Sequence, residues 1–254
     1  AGFGKVVFII REDLQEAFDK RFSSKLKGKI PVEYAFQRME DLPGGFEGME
    51  QNREKPWGTG HAIWSCRNVV QEPFIAINAD DFYGREAFEV MHQALQQKDN
   101  DYYMVGYYLN NTLSDHGSVS RGVCYADTGN YLSSVEEHTN IYKKHDKIYY
   151  KDGEKEKPLS PDLVVSMNLW GFQPDVFSYL EREFKTFLQE NPGAKSEFYI
   201  PSVINALINS GEKRVRILHS SSRWFGVTYK EDRPVVEQSI RDKIASGIYP
   251  EKLW

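Results

Sequence analysis

The chain has 254 residues, with 32 Lys and Arg against 37 Asp and Glu, and its formal charge of -5 argues against a role in coating nucleic acid. Hydrophobic residues make up 40% and aromatics 14%, which excludes a disordered chain and supplies enough apolar surface for a sizeable core. The longest apolar runs have the length of a buried strand, and Cys66 and Cys124 form no C-x-x-C pair, so the composition implies no membrane span, disulfide framework or zinc site. Both cysteines are expected to pack as small hydrophobes in a reducing compartment, and the chain to lie in the cytoplasm. No Gly/Ser/Pro-rich linker separates two halves, so residues 1–254 are expected to form one domain.

Lys5 to Ile10 is an apolar, β-branched run that predicts a buried strand, followed by helical spacing from Glu12 to Leu26. Val32 to Gln37 predicts a second strand. A long loop containing Gly44, Gly45, Gly48 and Pro56 then leads to Gly58, and connections of this length are often functional. A helix is expected from about Gly60 to Val70, a strand over Pro73 to Asn78, a helix marked by Phe88, Met91 and Leu95, and a strand over Tyr102 to Leu109. This alternation predicts an α/β fold with a mixed, mostly parallel central sheet flanked by helices.

After Asn110 the pattern shortens into strands over Gly122 to Asp127, Tyr131 to Glu137 and Ile141 to Tyr150, a small antiparallel section with turns at Thr128-Gly129-Asn130 and Asp152-Gly153-Glu154. Lys143 to Lys157 is dense in both charges and reads as a solvated hairpin. Asp162 to Phe172 returns to a core strand. Two amphipathic helices follow, one on Phe177, Leu180, Phe184 and Phe187, the other from Ile200 to Ile208. A late strand over Arg214 to His219 and a last helix on Val236, Ile240, Ile244 and Ile248 complete the chain. Trp254 reads as an exposed aromatic that could serve an interface.

Two segments carry chemistry. One is a strand ending in Asn78-Ala79-Asp80-Asp81-Phe82-Tyr83-Gly84. Ligands of open α/β sheets gather beyond the carboxyl ends of strands, where a carboxylate can hold Mg2+ beside phosphates, and Asp80 is the better placed of the two. The competing reading has Asp81 capping the next helix and Asp80 anchoring a turn. The other segment is Pro56-Trp57-Gly58-Thr59-Gly60-His61-Ala62, where glycine permits close approach of a base or phosphate and a helix start offers N–H donors. Its competing reading is an ordinary helix start with Thr59 as the cap. His61 has no recognisable nucleophile partner and reads as a packed or capping histidine.

The order of these pieces, Phe36-Gln37, the Gly58 to Ala62 loop, Asp80 to Gly84, Val135-Glu136-Glu137, Ser166-Met167-Asn168 and Glu197-Phe198-Tyr199, resembles the sugar-1-phosphate nucleotidyltransferases. The loop is most similar to that of bacterial N-acetylglucosamine-1-phosphate uridylyltransferase domains. The resemblance implies a glycosyltransferase A-like, Rossmann-like fold and transfer of a nucleoside monophosphate from an NTP, with UTP suggested by the loop, to a sugar 1-phosphate. It implies that Gln37, Gly58 and Thr59 contact the nucleobase and that Asp80 binds Mg2+. Gly122, Glu137 and Asn168 would hold the sugar, with Tyr199 near the same pocket. Each of these four has a bland alternative: a strand irregularity, a surface charge, a buried amide and a core aromatic.

Two departures stand beside the matches. The family's glycine-rich phosphate loop with its Arg belongs before the segment that opens this chain, so an N-terminal piece is expected to be missing and the chain alone to be weakly active or inactive. At Trp224-Phe225-Gly226-Val227-Thr228, where many relatives place a second metal-binding Asp or Asn, Thr228 is the candidate ligand and Asp232 lies beyond, alternatively a residue at the start of the last helix. Competing readings are a nucleotide-sugar-dependent glycosyltransferase and a non-catalytic nucleotide or sugar-nucleotide binding domain. No nucleic-acid or membrane partner is expected, and the base, the sugar and the oligomeric state are not readable.

Overall fold

The computed structural model describes residues 1–252, apart from the side chains of Ser23 and Ser24; Trp254 lies outside the described residues. In chain order the elements are β1 (Val6–Ile10), α1 (Gln15–Phe18), α2 (Ser24–Leu26), β2 (Val32–Phe36), α3 (Thr59–Trp64), β3 (Phe74–Ala76), α4 (Arg85–Leu95), β4 (Tyr102–Tyr108), β5 (Val119–Ala126), β6 (Leu132–Lys144), β7 (Lys147–Asp152), β8 (Lys155–Leu159), β9 (Val164–Phe172), α5 (Val176–Gln189), α6 (Ile200–Asn209), β10 (Val215–His219) and α7 (Arg233–Ala245). They fall into two compact units. One, the helical unit, comprises Gly2–Phe74 and Phe172–Glu212; the other, the sheet unit, comprises Ala1, Ile75–Gly171 and, among the described residues, 213–252. Among the described residues no helix is long and apolar enough to cross a membrane.

In the helical unit β1 and β2 pair in parallel, from Val6 opposite Val32 to Ile10 opposite Phe36, as a helical crossover between them requires. Phe8 packs against Phe18, Phe22 and Tyr34 with ring centroids 5.6 to 6.1 Å apart. α3 is shorter than its sequence suggests. Past Trp64 the amide N–H groups of Cys66, Arg67 and Val69 bond carbonyls three residues back, so the helix tightens into turns. α5 buries Val176, Leu180, Phe184 and Leu188 at a spacing of four; of the stripe expected on Phe177, Leu180, Phe184 and Phe187, the middle two are buried and the outer two half-buried.

The sheet unit corrects the expectation of a mostly parallel sheet. Its strand order is β10-β4-β9-β5-β6-β7-β8, with β3 pairing β9 off that path, and β10 and β4 pair in parallel. The β4–β9, β5–β6, β5–β9, β6–β7 and β7–β8 pairings are antiparallel. β4, buried along nearly its whole length, takes one partner of each direction, a choice that its own composition does not encode. β6 runs unbroken through the gap expected after Glu137. Asn140 adopts a left-handed φ of 54° where the register against β5 shifts, so the strand absorbs it as a bulge. The break comes instead at His145 and Asp146, with φ of 48° and 63°, a two-residue hairpin turn joining Lys144 to Lys147. The edge strand β8 carries Lys155, Glu156, Lys157 and Pro158, which discourage further pairing. Helix α4 lies close on the sheet, since a Cβ on Gly171 would stand 2.4 Å from the Met91 sulfur. The expected stripe on α7 is only half-buried at Val236, Ile240 and Ile244.

Candidate functional site

In the helical unit, the loop before α3 is anchored from below by aromatic rings. Trp57 is almost fully buried, donates from its indole N–H to the Met39 carbonyl at 2.8 Å and packs edge-on against Phe184. Phe184 also stacks on Phe198 with centroids 5.1 Å apart. The loop is then stitched to the chain entering α6: Phe198 N–H donates to the Trp57 carbonyl at 2.6 Å and Gly60 N–H to the Phe198 carbonyl at 2.9 Å. Gly58 is required between them. Its φ is 106°, and a Cβ there would lie 2.7 Å from the Phe198 carbonyl oxygen and 2.9 Å from its nitrogen.

Of the residues expected near a nucleobase, Gln37 and Gly58 are in contact, Gln37 Nε2 donating to the Gly58 carbonyl at 3.1 Å. Thr59 does not cap its own helix; its hydroxyl accepts from Ile200 N–H at 3.2 Å, the first amide of α6. Tyr199, half-exposed, precedes that amide, so it sits beside the loop. His61 is completely buried and lies under Gln37, as the packed histidine that the sequence suggests.

In the sheet unit, Asp80 and Asp81 differ. Asp81 accepts from Asn78 Nδ2 at 2.9 Å and lies 3.2 Å from the Tyr83 hydroxyl. Burial raises its carboxyl above the ordinary value, the Asn78 bond opposing and the neighbouring Asp80 charge adding to the rise. Asp80 is exposed and makes no hydrogen bond or ion pair among the described residues. Helix α4 starts at Gly84 without a side-chain cap, so capping does not account for Asp81.

Tyr83 organises this end of the sheet. Its buried hydroxyl accepts from Asn78 N–H at 3.1 Å and reaches the Met167 carbonyl at 2.8 Å. Met167 belongs to a bulge in β9 opposite β4, where Asn168 takes a left-handed φ of 59°. Gly122 stands opposite Glu137 on one side and Ser166 on the other, which gathers Gly122, Glu137 and the start of the Asn168 bulge across three adjacent strands. Burial raises the Glu137 carboxyl, with Arg121 and His138 opposing.

The segment carrying Thr228 is pinned next to the aspartates by a pair of backbone bonds between Phe82 and Phe225, 2.8 and 3.0 Å. A side chain at position 226 would run into the Trp224 ring at 2.3 Å and stand 3.1 Å from Asp81 Oδ1, so the indole occupies the space that a larger residue needs. Thr228 is exposed. Asp232 is committed elsewhere, accepting from Ser114 Oγ at 2.7 Å and Tyr229 N–H at 2.8 Å, the helix-start role weighed for it. No cluster of three or more His, Cys, Asp or Glu suited to a metal occurs among the described residues. The donor set still fits Mg2+, which keeps several waters and takes one or two carboxylates with substrate phosphates. Asp80 offers that carboxylate.

Arg121 carries weight that the sequence did not signal beyond its place before Gly122. It is buried, donates to the Ser120 carbonyl at 2.7 Å and to the Thr112 carbonyl, and lies 5.0 Å over the Trp224 ring. Burial pushes its guanidinium down to about 10, with Asp81, Glu137 and Asp232 opposing.

Compared with solved structures, the chain is similar to one from Bacillus anthracis assigned as a glucose-1-phosphate thymidylyltransferase and solved with sucrose, at a TM-score of 0.58 and 14% identity over 93% of this chain and 76% of that one. The fold is nucleotidyltransferase-like. A second similar structure is the CTP:phosphocholine cytidylyltransferase from Streptococcus pneumoniae, at a TM-score of 0.55 and 9% identity over 94% of this chain and 79% of that one. No protein-family profile and no curated protein sequence matches the chain.

Proposed function

We propose that the protein is a nucleotidyltransferase that moves a nucleoside monophosphate from an NTP to a sugar 1-phosphate. One observation carries the reading: at the carboxyl end of β3, Asp81 is tied down by Asn78 and Tyr83 while Asp80 is exposed and uncommitted. A structural pair would commit both carboxylates; here one is held back to position a loop that presents the other. Mg2+ at Asp80, with the Thr228 hydroxyl as a further donor, would offset charge on the phosphates. The residues themselves bind and orient. Gln37 and Gly58 take the nucleobase, with Thr59 fixing the loop. Gly122, Glu137 and Asn168 hold the sugar. An oxygen of the sugar phosphate attacks the α-phosphorus, the bond from that phosphorus to the bridging oxygen breaks, and pyrophosphate leaves with the electron pair.

Catalysis of this kind is positioning plus electrostatics. The test is pyrophosphate release with Mg2+ across the four NTPs, against a panel of hexose 1-phosphates and phosphocholine, with Asp80→Ala alongside. Release with one pair, lost in Asp80→Ala, supports the reading and names both substrates. Release with phosphocholine alone overturns the sugar-phosphate half. Absence of release, with tight binding of a nucleotide sugar, would favour a glycosyltransferase or a binding domain.

A further inference from the structure

Gln37 in the helical unit is held by two groups that fix which way its amide points. Its Nε2 lies 3.1 Å from the Gly58 carbonyl oxygen and 3.2 Å from His61 Nδ1. A carbonyl only accepts, so the atom facing Gly58 is the amide nitrogen, and a flipped amide would set two oxygens against each other. The second amide proton then points at Nδ1, which must offer a lone pair. Across the ring, His61 Nε2 lies 2.8 Å from the Asp41 carbonyl oxygen, again an acceptor only. The ring proton therefore sits on Nε2. A proton on Nδ1 would face an N–H, so the relay from Gly58 through Gln37 and His61 to Asp41 closes only with a neutral imidazole.

The surroundings keep it neutral. The ring is packed against Trp64 and Phe184, centroids 5.9 and 5.2 Å away. The charged groups facing it are the Asp41 carboxylate and Arg67, which bind each other in a two-pronged pair at 2.6 and 2.8 Å. Burial pushes the imidazole below its ordinary value, the Asp41 hydrogen bond and charge opposing and Arg67 adding to the fall.

We propose that His61 is a positioning residue that locks the Gln37 carboxamide, engaging both amide protons within the fold so that only Oε1 is offered to a ligand. A free carboxamide is ambidextrous; a locked one accepts only. The loop therefore takes a ligand that presents a hydrogen-bond donor at this point, the ring imide or exocyclic amino N–H of a nucleobase. This deepens the nucleobase reading of Gln37 and Gly58, and rests on it. It also gives the loop's histidine a task without proton transfer: a single tautomer sets the polarity of a contact one residue removed.

The test uses the full chain as wild type, His61→Leu and His61→Asn, since the Asn side-chain oxygen can replace Nδ1 as acceptor. Ring 15N NMR of wild type is expected to show a neutral imidazole protonated on Nε2 at pH 7. Calorimetry with UTP, dTTP, CTP, ATP and GTP identifies the nucleotide bound most tightly. His61→Leu is expected to weaken that nucleotide about tenfold, the usual worth of a lost positioning bond, and His61→Asn to recover most of it. Where turnover is measurable the loss falls on KM for the nucleotide with kcat unchanged. An Nε2-lone-pair tautomer, a charged ring at pH 7, or equal affinity in wild type and His61→Leu overturns the role of His61 and leaves the nucleotidyltransferase reading standing. No binding of any nucleotide to the folded wild type overturns both. If His61→Leu does not fold, the tautomer and the His61→Asn affinity decide the matter.

Discussion

Replacing Gly58 by alanine probes how tightly the loop is bound to the chain entering α6. Its φ of 106° and ψ of -176° fall in a region that is essentially confined to glycine, and forcing alanine there costs roughly 1–3 kcal/mol. The new Cβ would also stand 2.7 Å from a backbone oxygen and 2.9 Å from a backbone nitrogen of Phe198. Neither atom is free to retreat, because one accepts from Gly60 N–H and the other donates to the Trp57 carbonyl. Loosening one of those bonds costs about 1 kcal/mol, so the total is about 3 kcal/mol. Gly45 is the internal control: its φ is 93°, yet a Cβ there meets nothing within 4 Å. Gly45→Ala should therefore cost only the backbone share, about 1–2 kcal/mol. Urea unfolding followed by tryptophan fluorescence reads both. If the two variants agree to within about 0.5 kcal/mol, the close approach of residues 58 and 198 is wrong, and with it the account of why glycine stands at the loop.

Tyr83→Phe removes a hydroxyl that serves Asn78, Met167 and Asp81, and should lower stability by about 2 kcal/mol in the same unfolding assay. Asp80→Ala, at an exposed side chain without hydrogen-bond or ion-pair partners among the described residues, should leave the midpoint unchanged to within about 0.5 kcal/mol while reducing pyrophosphate release about 100-fold or more. The His61 imidazole is held below its ordinary value of 6.5 in the fold. Between that lower value and 6.5 the unfolded chain binds a proton that the native state does not, so wild-type stability falls as pH drops below 6.5, and His61→Asn removes that share of the slope in urea titrations at stepped pH. Burial pushes the thiols of Cys66 and Cys124 up to about 12, so neither should react with a thiol reagent until the protein is unfolded in urea, when both should.

The placement of the candidate segments was readable from residue order because each is local. The strand ending at Gln37, the Gly58 loop and the Asp80-Asp81 pair each lie next to the end of a strand or the start of a helix, and apolar periodicity marks those boundaries. What periodicity cannot carry is the division of labour between neighbours. Asp80 and Asp81 are chemically identical in the sequence, and only Asn78 and Tyr83 closing on one of them makes the other the free group. Thr59 looks like a cap for its own helix and instead serves Ile200, 141 positions away.

Most elements and their order follow from composition and period, because burying an apolar stripe depends on the segment itself, although β6 runs through its expected break and the α7 stripe stays half-buried. Strand direction does not, because hydrogen-bonding partners are chosen between distant segments: β4 pairs in parallel with β10 and antiparallel with β9, and its own residues suit both. The bulge at Asn168, the burial of Arg121 and the hydrogen-bond partners of His61 belong to that second class. Each depends on which carbonyl or ring arrives opposite it, and that is settled only when the chain has closed on itself.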